Sequence, residues 1–595
     1  GLTANLASKV YKHYKERTEE VFKTNPYDIA NNIDGVGFKT VDAIAVRIGL
    51  APENIHRIKA GIKYVLTNHT SNGHVYYPLD LLTYEASELL SAEPALITAA
   101  VKELQVESAV VLEKYDDVTA VYLNGYFYAE SYVAKKLLEL NLTHEDDNKD
   151  YTDSILTVCK NLGINLAKSQ MEAVKSSLKG GITVITGGPG TGKTTTINAI
   201  ISMFKENNMD IVLAAPTGRA AKRMTEATGM EAATIHRLME VKYVSDDARR
   251  QVFERNEENP IPADVLIIDE ISMVDIMLMY HLLKAVEPGT RLILVGDADQ
   301  LPSVGPGNVL KDIISGGMLK VVYLKEIFRQ AQMSDIIVNA HNINNGVYPV
   351  LNGNGKDFFL VKRVNIDNVV SALLELVSER LPKFSGCGLK DIQVLTPMRK
   401  SKLGVTNLNI ELQKILNPPK FGKIEYVFRD FVFREGDKVM QIKNNYNITW
   451  VNHGGNDIYS SSGQGVFNGD EGIIERINLT GESLTILFDD GRQADYDFSQ
   501  LDEIEPAYAI TIHKSQGSEY RVVVIPVHSG PTRLLSRNLL YTAVTRAREM
   551  VVLVGTEGCI EMMVDNDKEV KRYSALDRKM QKFGKVYESK DKDKG

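Results

Sequence analysis

Hydrophobic positions follow three different spacings along this chain, and the changes of spacing divide it into regions. Near the start, apolar residues recur at helical intervals over Ala4 to Tyr14 and again over Thr40 to Ile48, on either side of the turn Ile33-Asp34-Gly35-Val36-Gly37-Phe38-Lys39. From Pro52 to Leu138, helically spaced Ile58, Ile62, Val65 and Leu66 give way to the alternating run Val118-Thr119-Ala120-Val121-Tyr122 and then to another helix. That sequence of patterns predicts a small helical domain carrying a hairpin, winged-helix-like in kind. The stretch from His144 to Asp150 is polar, acidic and without period, so it reads as a linker.

Beyond it, short β-branched runs alternate with helical segments: Ile182-Thr183-Val184-Ile185, Ile211-Val212-Leu213, Val265-Leu266-Ile267-Ile268 and Leu292-Ile293-Leu294-Val295. Strands buried on both faces carry such continuous apolar runs, so the alternation predicts an α/β domain whose parallel sheet is covered by helices. A second such region begins near Ile392-Gln393-Val394-Leu395 and resumes after Ile510 with Val522-Val523-Val524-Ile525 and Val551-Val552-Leu553-Val554. Between its halves, glycine-rich turns and short strands such as Leu484-Thr485-Ile486-Leu487-Phe488 predict an inserted small β-barrel over 433–505. The expected domains are thus 1–50, 51–143, 151–335, and 336–432 continued by 506–560 around the barrel. A C-terminal tail follows over 561–595, and Lys590 to Gly595, rich in lysine and aspartate, is expected to be disordered.

Composition changes this picture little. At 595 residues the chain exceeds what one hydrophobic core supports, and no apolar stretch approaches the roughly 20 residues that span a bilayer. Cys159, Cys387 and Cys559 stand far apart, which argues against a disulfide framework or clustered zinc site and fits a reducing cytoplasm. A net charge of -8 argues mildly against nucleic-acid binding. A protein that grips a strand inside one groove can still be acidic elsewhere, because the local field decides.

The chemistry sits at strand ends. Gly187-Gly188-Pro189-Gly190-Thr191-Gly192-Lys193-Thr194 follows one apolar strand and precedes the helical Thr195-Thr196-Ile197-Asn198-Ala199-Ile200. In that setting the glycines let backbone N–H groups point at phosphates and the helix N-terminus favours negative charge. Lys193 is placed to reach the β- and γ-phosphates of ATP, and Thr194 to ligate Mg²⁺. Asp269 and Glu270 end another buried strand: Asp269 suits the grip on Mg²⁺, Glu270 the base that activates water. Gln300, in Gly296-Asp297-Ala298-Asp299-Gln300, either senses the γ-phosphate or sits on a surface loop. Arg329 and Arg546 are candidate arginine fingers, since a permanently charged planar cation suits developing phosphoryl charge, although most arginines are simply solvated. The turn holding Gly35 and Gly37 has two readings, an amide cradle for a DNA phosphate and an ordinary glycine-rich turn.

From about Leu166 to Gly555 the chain resembles the superfamily 1 helicases, with motifs in that family's order. Gln170 matches the adenine-recognising glutamine motif, and Thr195 extends the phosphate loop. Ala215 to Ala221, with Pro216, Thr217 and Arg219, and Thr234 to Leu238, with His236, match DNA-contacting motifs. In the second sheet domain, Leu395 to Arg399, with Thr396 and Pro397, and Thr511 to Glu519, with His513 and Lys514, match DNA-contacting and coupling motifs. By the same resemblance Gly517 and Glu519 lie near the nucleotide and Arg546 points across the cleft.

The wording is most similar to the free-standing bacterial RecD-like helicases, and the turn at Gly35 and Gly37 is similar to their helix-hairpin-helix element. The resemblance implies two RecA-like domains, DNA contact at Gly35 and Gly37, and a duplex-splitting β-hairpin pin near 239–262. Charged residues there, including Arg249-Arg250, also fit a plain surface excursion. It further implies ATP and Mg²⁺ as cofactors, the metal held by Thr194 and Asp269, and 5′-to-3′ travel on single-stranded DNA. The implied setting is DNA repair, recombination or replication-fork maintenance, as a cytoplasmic, nucleoid-associated monomer. The implied partners are single-stranded DNA, single/double-strand junctions and a single-stranded-DNA-binding protein, with no membrane. Because Gly1 to Val10 looks like the second half of another hairpin, a further N-terminal segment is expected. Two other readings are a motor subunit of an exonuclease complex and a non-motor ATPase that clamps DNA.

Overall fold

A computed structural model describes residues 4–33, 36–144, 149–243, 251–328, 331–353, 357–452, 461–568 and 571–592. Two parallel sheets dominate it. The first runs Lys320–Tyr323, Ile182–Thr186, Arg291–Gly296, Val265–Ile268, Ile211–Ala215 and Ala232–Thr234 in spatial order, with every pairing parallel. The second runs Phe358–Lys362, Ala547–Gly555, Tyr520–Val527, Ile392–Thr396 and Ala509–Thr511, again all parallel. Central strands such as Ile182–Thr186 and Val265–Ile268 are buried along their whole length, as the unbroken apolar runs require. These are the two RecA-like domains of the expected α/β class.

The excursion from the second sheet holds seven strands, ordered Ser461–Val466, Asn445–Asn452, Arg492–Asp497, Ser483–Phe488, Glu471–Asn478, Lys438–Gln441 and Ile504–Pro506. Its own core includes Phe433, Ile474, Ile486 and Tyr496. The N-terminal part is helical, and after it Tyr76–Pro78, Val118–Leu123 and Val110–Tyr115 form a three-stranded antiparallel sheet. Near the expected pin, Val241–Tyr243 pairs antiparallel with Gln251–Phe253; Arg249 and Arg250 lie outside the described residues, as does Gly35. Gly37 caps the helix Phe38–Arg47 in extended backbone at φ −87°, so glycine's positive-φ freedom is not used there.

The C-terminus departs from the expected tail. A helix spans Leu576–Lys592, so Lys590 belongs to it rather than to a disordered end. It docks on the helices Asn124–Leu142 and Val309–Gly316. Leu576, Met580 and Phe583 recur at helical spacing and join the core of the first sheet domain. Lys579 is buried between the Tyr122 and Phe127 rings, 3.3 Å from the Glu130 carboxylate. The apolar stripe is narrow within a lysine-rich sequence, which is why composition hid it.

Candidate functional site

The phosphate loop is a backbone cradle between the strand Ile182–Thr186 and the helix Lys193–Glu206. Gly190 and Gly192 hold φ of 72° and 77°, a region that side chains rarely adopt. A Cβ on Gly188 would come 2.9 Å from the Tyr541 hydroxyl and 3.2 Å from His341 Cε1, so neighbours leave room there only for backbone. The Lys193 ammonium donates to Gly187 O at 2.6 Å and Gly188 O at 3.2 Å. Gln170 is fully buried and braces the loop: its Nε2 donates to Thr191 O at 3.3 Å and Gly192 O at 3.2 Å. The structure therefore puts the expected adenine reader on the loop's own carbonyls. Thr194 stands exposed at the helix start and Thr195 is half-buried beside it.

Asp269 follows the strand Val265–Ile268, and its Oδ1 accepts from the Glu270 N–H at 2.8 Å. Glu270 is buried with its backbone in the left-handed region at φ 55°, a costly conformation for a side-chain-bearing residue. Burial opposes ionisation of Glu270, but the charges of Arg223, Arg546 and Lys193 outweigh it and hold its carboxyl below the usual range. Burial and the Glu270 charge push Asp269 up. Gln300 is buried, not on the surface: its Nε2 donates to Asp297 Oδ2 at 3.1 Å, and its Oε1 has no hydrogen-bond partner among the described residues. An amide-built cradle, a lysine, an exposed hydroxyl, paired carboxylates and an unpartnered buried acceptor fit a nucleotide triphosphate with its metal.

The second sheet domain closes this site. The Tyr541 hydroxyl donates to Asp297 Oδ2 at 2.7 Å, and His341 Nε2 lies 3.1 Å from Pro189 O on the phosphate loop. Gly517, at φ 71°, packs so closely on the first domain that a Cβ would lie 2.8 Å from Thr217 Oγ1. Glu519 accepts from Arg223 at 2.5 Å and Arg548 at 2.7 Å. Arg546 is buried within its own domain, donating through Nε to Thr542 O at 3.2 Å and through Nη1 to Ser518 O at 3.3 Å. Arg329 lies outside the described residues.

The expected DNA contacts divide into two groups. Pro216, Thr217 and His236 line a cavity of about 180 Å³ together with Asp275, Val304 and, from the inserted barrel, Asn444, Phe467 and Asn468. His513 is exposed, and Lys514 Nζ sits 2.7 Å from Glu505. Arg219, Thr396 and Pro397 are placed otherwise. Arg219 is engaged by protein carboxylates, Glu471 at 2.8 Å and Asp489 at 3.1 Å. Thr396 and Pro397 are buried, and the Thr396 hydroxyl donates to Leu403 O at 2.7 Å, so it shapes its own loop. Sequence reading missed Arg223, Asp297, His341, Tyr541 and the barrel residues at the cavity. Asp297 alone carried a signal, standing directly after an apolar strand.

Comparisons with known proteins agree along the chain. The model of the ATP-dependent RecD2 DNA helicase helix-hairpin-helix domain matches residues 1–76, and the ATP-dependent RecD-like DNA helicase SH3 domain matches 408–488. An AAA domain matches 170–306 and a UvrD-like helicase C-terminal domain matches 506–554. The chain is 31% identical to the ATP-dependent RecD2 DNA helicase of Deinococcus radiodurans over 97% of its own length and 76% of that protein. The chain belongs to the RecD2 family of ATP-dependent DNA helicases. A RecBCD enzyme subunit RecD of Mycolicibacterium smegmatis is 30% identical, covering 80% of this chain and 84% of that subunit. The structure of the Pif1 helicase from Bacteroides with ADP-AlF3 and single-stranded DNA aligns with 72% of this helicase and 98% of that chain, at 21% identity and TM-score 0.39. No helix among the described residues is long and apolar enough to cross a membrane.

Proposed function

We propose that this ATP-dependent DNA helicase travels 5′-to-3′ on single-stranded DNA and that its fuel is hydrolysed between the two sheet domains. The observation that carries the interdomain site is the direct contact of the phosphate loop and Asp297 with His341 and Tyr541 of the second domain; the direction rests on the resemblance to the RecD-like helicases. Nucleotide bound there touches both bodies, so its arrival and loss bias their separation.

Lys193 and the loop amides from Gly187 to Thr194 hold the phosphates, and Glu270 accepts the proton of the attacking water. Thr194 and Asp269 would hold Mg²⁺, which would offset phosphate charge there. Gln300 can accept a hydrogen bond from the attacking water on its free Oε1. Arg546, whose charge already acts on Glu270 although its hydrogen bonds stay within its own domain, supplies the finger from the second domain, with Arg329 as the other candidate. Gly517 and Glu519 place the second domain against the nucleotide.

Pro216, Thr217 and His236 hold the strand on the first domain, with Phe467 offering a face on which a base stacks. His513 and Lys514 form the grip on the second. Burial pushes the His236 imidazole down from its ordinary value. The pin near 239–262 splits the junction, and Gly35 and Gly37 steady the duplex. The remaining proposal is a monomer at the cytoplasmic nucleoid, working on junctions beside a single-stranded-DNA-binding protein.

Duplexes with a single 5′ or 3′ tail test the direction. ATP-dependent strand displacement is expected on the 5′-tailed duplex and not on the 3′-tailed one. The opposite preference would overturn the direction while leaving the site intact.

A further inference from the structure

On the helix Gly218–Thr228, which leads away from the Pro216-Thr217 strand grip, Arg223 faces the nucleotide cleft. Its Nη2 lies 2.7 Å from Glu270 Oε1 and 3.9 Å from Asp269 Oδ2, while its Nη1 lies 2.5 Å from Glu519 Oε1. Among the described residues, no other side chain hydrogen-bonds the Glu270 carboxylate. Glu519 is anchored on its own side by Arg548, at 2.7 Å on the other oxygen. A guanidinium offers donors in a rigid planar fork, so it holds two carboxylates at fixed places where an ammonium holds one.

We propose that Arg223 is a positioning residue: it fixes the Glu270 carboxylate and makes its place depend on Glu519 of the second sheet domain. Movement of one sheet domain against the other then reaches the proton acceptor through a single side chain. One turn earlier on the same helix, Arg219 reaches Glu471 and Asp489 of the inserted barrel. The helix behind the strand grip is thus tied to the barrel and to the hydrolysis site at once. The inference rests on the proposed role of Glu270 as proton acceptor.

The test measures kcat and KM for ATP on saturating oligo(dT), with oligo(dT) affinity, for Arg223→Gln, Arg223→Lys, Glu519→Gln and the Arg223→Gln/Glu519→Gln double variant. Glu270→Gln is the control. For Arg223→Gln, kcat is expected to fall about 10–100-fold, the usual effect of losing a group that orients a catalytic one, with KM changed less than about threefold. Arg223→Lys, keeping charge but not the fork, recovers only part of the loss. The double variant is no worse than the more impaired of the two single variants, because the bridge they share is already broken. A rise in KM at unchanged kcat, full activity of Arg223→Lys, or losses that multiply in the double variant would overturn the proposal. Full activity of Glu270→Gln overturns the reading beneath it. An inactive Glu270→Gln beside a fully active Arg223→Gln overturns the Arg223 role alone.

Discussion

Replacement of Lys193 by alanine is expected to lower DNA-stimulated ATP hydrolysis by at least about 10²–10³-fold, the loss that follows removal of a preorganised charge from a transition state. The lysine is held in place by the loop itself, through Gly187 O at 2.6 Å and Gly188 O at 3.2 Å. Its ammonium therefore needs little reorganisation to meet a phosphate. The strand grips at Pro216, Thr217 and His236 lie in a separate cavity, so oligo(dT) affinity should change less than about threefold. Steady-state hydrolysis and fluorescence anisotropy on the same preparation check both halves. Hydrolysis surviving in the variant would remove the loop from the mechanism.

The second large effect is on stability. Glu471, on a barrel strand, is almost wholly buried; Arg219 of the first sheet domain sits 2.8 Å away, Lys438 3.1 Å away, and the Tyr520 hydroxyl donates to it at 2.8 Å. Burial opposes its charge, yet Arg219 and Lys438 hold its pKa down to about 2 from an ordinary 4.5. Glu471→Gln leaves both cations without this carboxylate and is expected to cost about 3 kcal/mol, the lower end of the range for breaking a buried pair, because Arg219 keeps Asp489. A folded pKa below the unfolded one means that the contribution is fully present above pH 4.5 and is lost as pH falls towards 2. The gap between parent and variant in the first urea transition should therefore be widest above pH 5 and shrink through pH 4 and 3. A gap independent of pH would show that Glu471 does not act through its charge.

How much of this was legible in the sequence depended on distance along the chain. Buried parallel strands announce themselves by unbroken apolar runs, so both sheets, the phosphate loop and the Asp269-Glu270 pair were readable where they stand. The barrel was readable from glycine turns between short strands. Pairings between distant segments were not. Tyr541 meets Asp297 across 244 positions and Arg219 meets Asp489 across 270, and no local pattern encodes either contact. Arg219 illustrates the consequence: its neighbours Pro216 and Thr217 line the strand cavity, and only the fold shows its charge spent on the barrel. Thr396 stands in a matching motif yet points into its own loop. Arg223 sits in a helix whose sequence gives no reason to single it out, and Glu270 and Glu519 become its partners only when the two domains face each other.

The central claim is that hydrolysis between the two domains drives movement along a strand, and ATP consumed per binding event on oligo(dT) of increasing length tests it most directly. With a heparin trap to prevent rebinding, a translocating motor consumes ATP in proportion to the length ahead of it. The predicted result is a burst that rises linearly with length until dissociation limits it, and that vanishes in Lys193→Ala. A burst of the same size on short and long strands would mean that this site opens and closes a clamp, and would contradict the motor.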